Sequence, residues 1–176
     1  QHDVGLFCGW IWDTWLGGLM PKATAGDIDT VTLYLLKPYL IRGGAGTILF
    51  APPKSGKSAI ALLWAVSVDA GVDRFWPVMK TKVSYINLER PTIARRLARV
   101  NAVLGLPAQR PLSILDARGM SLNDVVDAVR RSIREEGTEL CILDSISRSG
   151  LGDLNENVPA NRIMDALNSL KCSWGA

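Results

Sequence analysis

The chain of 176 residues, 48% hydrophobic and 21% charged, has the length of one domain and is short for two ordinary ones. At that size folding hides roughly 70% of the unfolded chain's surface, so a core can form without disulfides or a structural metal. Cys8, Cys141 and Cys172 lie far apart, the lone histidine is His2, and a net charge of +3 decides nothing about nucleic acid; a zinc module and a disulfide scaffold are excluded, and the ligand class stays open.

The chain opens on Gln1 rather than Met, and Ser173-Trp174-Gly175-Ala176 follows a helical pattern without a terminating signal, so a fragment is expected. Val4 to Met20 is rich in Gly, Trp and Leu, but Asp3 precedes it, Asp13 interrupts it and no basic residue leads into it. That makes a poor signal peptide and too short and polar a membrane span, and with free cysteines the expected compartment is the cytoplasm. Trp10, Trp12 and Trp15 crowd this arm with Phe7 and Leu16. Its aromatic side chains are expected to pack on their own domain, dock on a neighbour or stack on single-stranded bases. The Ala, Gly, Thr and Asp of Pro21 to Asp29 read as a connector, which assigns residues 1–37 to arm and connector and 38–176 to the core.

From Gly43 onward short apolar runs alternate with longer amphipathic ones. Thr47 to Ala51 is a strand-like run and Lys57 to Ala70 has helical spacing; Val83 to Leu88 is a second strand, and Pro91 opens a helix reaching about Leu104. Pro111 to Leu115 is a short third strand, Ser121 caps a helix to about Glu136, Leu140 to Leu143 is a fourth strand, and Pro159 starts a last helix that ends near Leu170. Strands that alternate with helices must be joined by crossovers, which is the pattern of parallel β-α units. The strands are apolar nearly throughout, as expected where helices cover both faces. The fold class is therefore α/β, an open, mainly parallel sheet, in which ligands bind beyond the carboxyl ends of the strands.

Immediately after the first strand comes Ala51-Pro52-Pro53-Lys54-Ser55-Gly56-Lys57-Ser58, followed by Ala59 in the helix. It fits G-x-x-x-x-G-K-[ST] except for alanine at the first glycine, and it stands between a strand and a helix as that motif requires. The backbone N–H groups of Pro53 to Ala59, proline excepted, would wrap a phosphate at a helix N-terminus, where unsatisfied donors and the helix dipole favour an anion. Lys57 would reach the phosphate oxygens, Ser58 would bind Mg²⁺, and Gly56 would let the backbone come close. Alanine is tolerable at position 51 if its φ is ordinary. Lys54 stands only three places before Lys57, which excludes the partition-type spacing with its lysine five places before.

Two carboxylates end strands. Leu140-Cys141-Ile142-Leu143-Asp144, about 90 residues beyond the loop, has the form of a Walker B element whose aspartate holds Mg²⁺ through its water shell. Glu89 follows Val83 to Leu88, where a base could orient the attacking water; the alternative is a helix acid answering the dipole of the helix that Pro91 opens. Arg90, Arg95 and Arg96 read mainly as solvated helix surface, and Ser147 to Val158 as a long polar loop.

The run Gly46 to Ser58, then Tyr85-Ile86-Asn87-Leu88-Glu89 with Arg95-Arg96-Leu97 behind it, then Cys141 to Ser147, resembles the RecA-like P-loop ATPases over about Pro38 to Leu170, with the RepA-like hexameric replicative helicases as the nearest group. The resemblance implies a RecA-like core that binds Mg·ATP between subunits of a ring, a homo-oligomer (hexamer) when full length, and movement of single-stranded DNA through it. It implies Glu89 as the catalytic glutamate and the acidic stretch Gly152 to Asn157 after Walker B. A further core strand bearing a polar sensor residue, and the distal region that supplies an arginine finger, are not recognised in the sequence, so complete catalysis by this chain alone is not expected. The expected function is an Mg-dependent ATPase core of a DNA helicase or related motor; a small-molecule kinase and an ATP-binding regulatory or assembly protein remain as alternatives, and no membrane partner is implied.

Overall fold

The computed structural model describes residues 11–12, 34–43, 46–89, 91–146, 157–170 and 172–175. The chain divides into two compact units, Gln1–Val31 and Thr32–Ala176. Of the first, only Ile11 and Trp12 are among the described residues, so the reading of the Trp-rich arm lies outside them, as does that of Ser147 to Glu156 and of Arg90.

The second unit opens with an antiparallel hairpin, β1 (Tyr34–Leu36) and β2 (Leu40–Ile41), turned by Lys37 to Tyr39. Its core is a parallel five-stranded sheet of β3 (Gly46–Thr47), β4 (Val83–Asn87), β5 (Ser113–Asp116), β6 (Leu140–Asp144) and β7 (Ser173–Gly175). The spatial order is β3-β7-β6-β4-β5. Four helices join them: α1 (Lys57–Ala70), α2 (Ile93–Val103), α3 (Leu122–Glu136) and α4 (Asn157–Asn168).

The alternation of side chains along β4 and β6 divides the core between two faces. Val83, Tyr85, Leu140 and Ile142 pack with Leu62, Trp64, Ala65 and Val68 of α1 and with Leu35, Leu36 and Leu40 of the hairpin. Ile86, Cys141 and Leu143 point the other way, against Val125, Val126 and Val129 of α3 and Ile163 and Leu167 of α4. Both faces are covered, which is why these strands read as continuous apolar runs.

Local chemistry sets the helix ends. Ser121 accepts from the Asp124 N–H, and the Asp124 carboxylate accepts from the Ser121 N–H and hydroxyl, a reciprocal capping box that starts α3 where expected. Helix α2 starts at Ile93, two residues after the expected opening at Pro91, because Thr92 takes φ 74 and cannot belong to the helix. Helix α4 starts at Asn157, two residues before Pro159; a proline in the first turn lacks only an N–H that would have no intrahelical partner.

One element is unforeseen and one expectation is corrected. The hairpin was not foreseen; it comes from the apolar pairs on either side of Lys37-Pro38. The further core strand expected to be missing is present in part, since Ser173–Gly175 is inserted as β7 between the loop-bearing strand and β6. The register Gly46↔Trp174 shows why β3 has glycine there: a Cβ on Gly46 would fall inside the Trp174 indole. Among the described residues no helix is long and apolar enough to cross a membrane.

Candidate functional site: a phosphate loop facing two carboxylate-bearing strands

Three strands deliver their carboxyl ends to one edge of the sheet. β3 runs into the loop 51–56, β4 into Glu89, and β6 ends on Asp144. In the ladders Asn87 is in register with Asp144 on one side and with Asp116 on the other, so three polar residues end three adjacent strands in one row. The pairing of β4 with β6 continues one residue further through Leu88 N–H to the Asp144 carbonyl, 2.8 Å, which sets Glu89 directly past Asp144 on the neighbouring strand.

The loop is exposed from Ala51 to Gly56, and Lys57 and Ser58 are half-buried. Gly56 has φ 92 and serves as the N-cap of α1; no side chain caps this end, and its carbonyl accepts from Ala59 and Ile60 at 2.9 and 3.0 Å. The first turn of α1 therefore faces the loop with backbone donors and the positive end of the helix dipole. Among the described non-glycine residues only Lys54, φ 64, and Thr92 have positive φ, so Ala51 takes an ordinary backbone and the alanine costs the loop nothing. The strain falls on Lys54 instead, at a place where glycine would be free of it.

Lys57 folds back over its own loop, donating to the carbonyls of Ala51 at 2.6 Å and Pro52 at 2.8 Å. Its ammonium is thus held against the backbone at the start of the loop. Ser58 donates to Asp144 Oδ1 at 2.9 Å, joining the first turn of α1 to the end of β6 across the intervening β7. A hydroxyl and a carboxylate paired beside uncapped helix donors are hard oxygen ligands of the kind Mg²⁺ takes together with waters and phosphate oxygens. The donor set fits that ion: Ser58 and Asp144 would hold it, and it would neutralise charge on the phosphates.

One residue that sequence reasoning passed over belongs to this site, and one that it read as helix surface acts on it electrostatically. Tyr85, fully buried, donates its hydroxyl to Asp144 Oδ2 at 2.7 Å. Burial and the Asp144 charge hold its pKa far above the ordinary phenol value; Glu89 adds to that rise and Arg96 opposes it. Arg96 of α2, half-buried, is therefore close enough to the β4 end for its charge to act there, in contrast to the exposed Arg95, which matches the solvated-surface reading. Tyr85 carries a readable signal in its parity with Val83 and Asn87, but nothing in the sequence gives the register that sets its ring beside Ile142 and below Asp144.

A phosphate loop between a strand and a helix, with a strand-end aspartate paired to the loop's hydroxyl, defines a P-loop nucleotide-binding protein of the α/β class. Residues 29–176 match the AAA_25 family, described as an AAA domain, and the chain belongs to this family of P-loop ATPases. No curated protein gives a significant match to the chain.

Proposed function

We propose that this domain binds and hydrolyses Mg·ATP as the motor core of a RecA-like ring that acts on single-stranded DNA. In this reading Pro53, Lys54, Ser55, Gly56 and Ala59 form the phosphate cradle, Lys57 leaves the Ala51 and Pro52 carbonyls for the phosphate oxygens, and Ser58 and Asp144 hold Mg²⁺. Glu89 accepts a proton from the attacking water. The observation that carries hydrolysis is the Ser58–Asp144 pair at the mouth of the loop, with Glu89 at the end of the next strand. The DNA substrate, the hexameric ring, the affinity with replicative helicases and the cytoplasmic setting rest on the resemblance of the three motifs in their order and spacing.

Nucleotide turnover measured with and without single-stranded DNA, with light scattering on the same sample, tests the proposal. Stimulation by DNA in a ring-sized particle supports it. Tight binding with negligible turnover in either condition would make the domain a nucleotide-dependent switch, and phosphate transfer to a small acceptor would make it a kinase.

A further inference from the structure

The Asp144 carboxylate is engaged on both oxygens by donors from different elements. Oδ1 accepts from Ser58 on α1 at 2.9 Å, and Oδ2 accepts from Tyr85 on β4 at 2.7 Å. The two donors are not alike. Ser58 is half-buried on the loop helix, at the place where a metal would be bound, whereas Tyr85 has no exposed surface and is held in the sheet between α1 and the hairpin. A carboxylate with one free oxygen can rotate about its last torsion and offer either oxygen, since that torsion is broad. With Oδ2 tied to a phenol fixed in the core, the rotation is removed.

We propose that Tyr85 is a positioning residue for Asp144: by occupying Oδ2 it presents Oδ1 alone to Ser58 and to the Mg²⁺ that the two would hold. The inference rests on the ATPase reading and deepens it. Tyr85 touches neither nucleotide nor metal in this account and acts only through Asp144. The expected cost of losing it is that of a hydrogen bond to a charged group, roughly tenfold or more in the equilibrium it supports.

The test uses the whole chain and a fluorescent ATP analogue, with affinity measured in EDTA and across a Mg²⁺ titration. For Tyr85→Phe, which removes one oxygen and keeps the ring, affinity in EDTA should match the unsubstituted chain, while the Mg²⁺ needed for half-maximal strengthening of binding should rise about tenfold. In an Asp144→Asn background the same substitution should add nothing. An unchanged Mg²⁺ requirement, or an equal shift with and without the Asp144 carboxylate, would show that Tyr85 only fills the core. If Tyr85→Phe does not fold, 3-fluorotyrosine at this position keeps donor and ring, and its fluorine resonance should move when Mg²⁺ and the analogue are added to the chain but not to its Asp144→Asn form; a resonance that stays in place overturns the proposal. A chain that binds no nucleotide sinks the ATPase reading alone. The Tyr85–Asp144 coupling is then judged from denaturation midpoints of the two single variants and the double, where additivity counts against it and non-additivity for it.

Discussion

Ser58 Oγ and Asp144 Oδ1 stand 2.9 Å apart although 86 residues separate them in the chain. The strand that leads into the loop, β3, and the strand that carries Asp144, β6, are not neighbours in the sheet, since β7 lies between them. Helix α1, which follows β3, packs directly on β4 and β6, and the contact places hydroxyl and carboxylate at one point beside the loop. If both serve the same ion, Ser58→Ala and Asp144→Asn should each raise the Mg²⁺ demand of nucleotide binding by roughly tenfold or more, and the double variant should fall well short of the product of the two effects. A Mg²⁺ titration of the three variants reads this, and multiplicative effects would mean that the two groups act separately.

The two lysines of the loop should behave differently. Lys57 is held over the loop by the Ala51 and Pro52 carbonyls, whereas Lys54 is exposed and sits at φ 64. Lys57→Ala removes a charge-assisted partner of the phosphates and should weaken ATP binding by roughly ten- to a hundredfold. Lys54→Gly removes a left-handed non-glycine conformation that costs about 1–2 kcal/mol, a gain that the greater freedom of glycine in the unfolded chain largely offsets. Its stability and affinity should therefore stay close to those of the parent chain. Calorimetric nucleotide titration of both variants decides; equal losses would make Lys54 a second phosphate cation.

Glu89 lies just beyond the point where β4 stops pairing with β6, and its charge is felt at Tyr85. As the base for the attacking water it should be dispensable for binding: Glu89→Gln keeps the shape, should retain ATP affinity, and should lower turnover by roughly a hundredfold or more. Single-turnover hydrolysis with pre-bound ATP separates the two effects. Normal hydrolysis would return Glu89 to the role of a helix-end acid.

Legibility in the sequence followed the range of the forces involved. Helix α1 has the bounds that its spacing gives, Lys57 to Ala70, because Gly56 and Gly71 both take left-handed φ at its ends and glycine is the residue for that conformation. The start of α3 was readable for the same reason, since Ser121 and Asp124 satisfy each other three residues apart. The loop and both strand-end carboxylates were readable because each is a local motif. Non-local relations were not. Strand β7 has three residues, Ser173, Trp174 and Gly175, too few for any periodicity, and it is a strand because two others flank it. Tyr85 gives no local sign of its role, because only the register with β6 puts its hydroxyl on Asp144.

The capping box gives a prediction about acid. Asp124 is exposed, and its hydrogen bonds from the Ser121 hydroxyl and N–H lower its pKa from the ordinary value of 3.8. A carboxyl whose pKa is lower in the folded chain than in the unfolded one adds stability that is present in full above the unfolded value and is lost as pH falls through the folded one. The chain should therefore lose the contribution of this cap below about pH 4, and Asp124→Asn should flatten that part of the stability curve while lowering stability at neutral pH. Denaturant midpoints of parent and variant between pH 3 and pH 7 measure it; parallel curves would show that the cap contributes nothing through its charge.

The last prediction joins the sheet to the loop. Among the described residues strand β3 pairs with the sheet through Gly46 and Thr47, opposite Trp174 and Gly175, and the loop follows four residues later. The Trp174 ring lies against Gly46 and is fixed by its indole N–H, next to the edge that faces Gly46, which donates to Asn168 Oδ1 at 3.1 Å. In Gly46→Ala the new methyl would enter the indole, and the ring is too large and too buried to step aside without moving strand β7. Overpacking of this kind costs about 1–3 kcal/mol. Because β3 is the element that carries the loop, part of that strain should appear as displacement of Ala51 to Ser58, so Gly46→Ala should lower both the melting temperature and the affinity for ATP although residue 46 lies outside the loop. Gly46→Ala combined with Trp174→Leu, which opens space above the methyl, should recover affinity more fully than stability, since the cavity left by the indole has its own cost. Paired thermal melts and nucleotide titrations on the single and double variants test the argument, and a Gly46→Ala chain that is destabilised yet binds ATP normally would show that the loop keeps its geometry independently of the strand that leads into it.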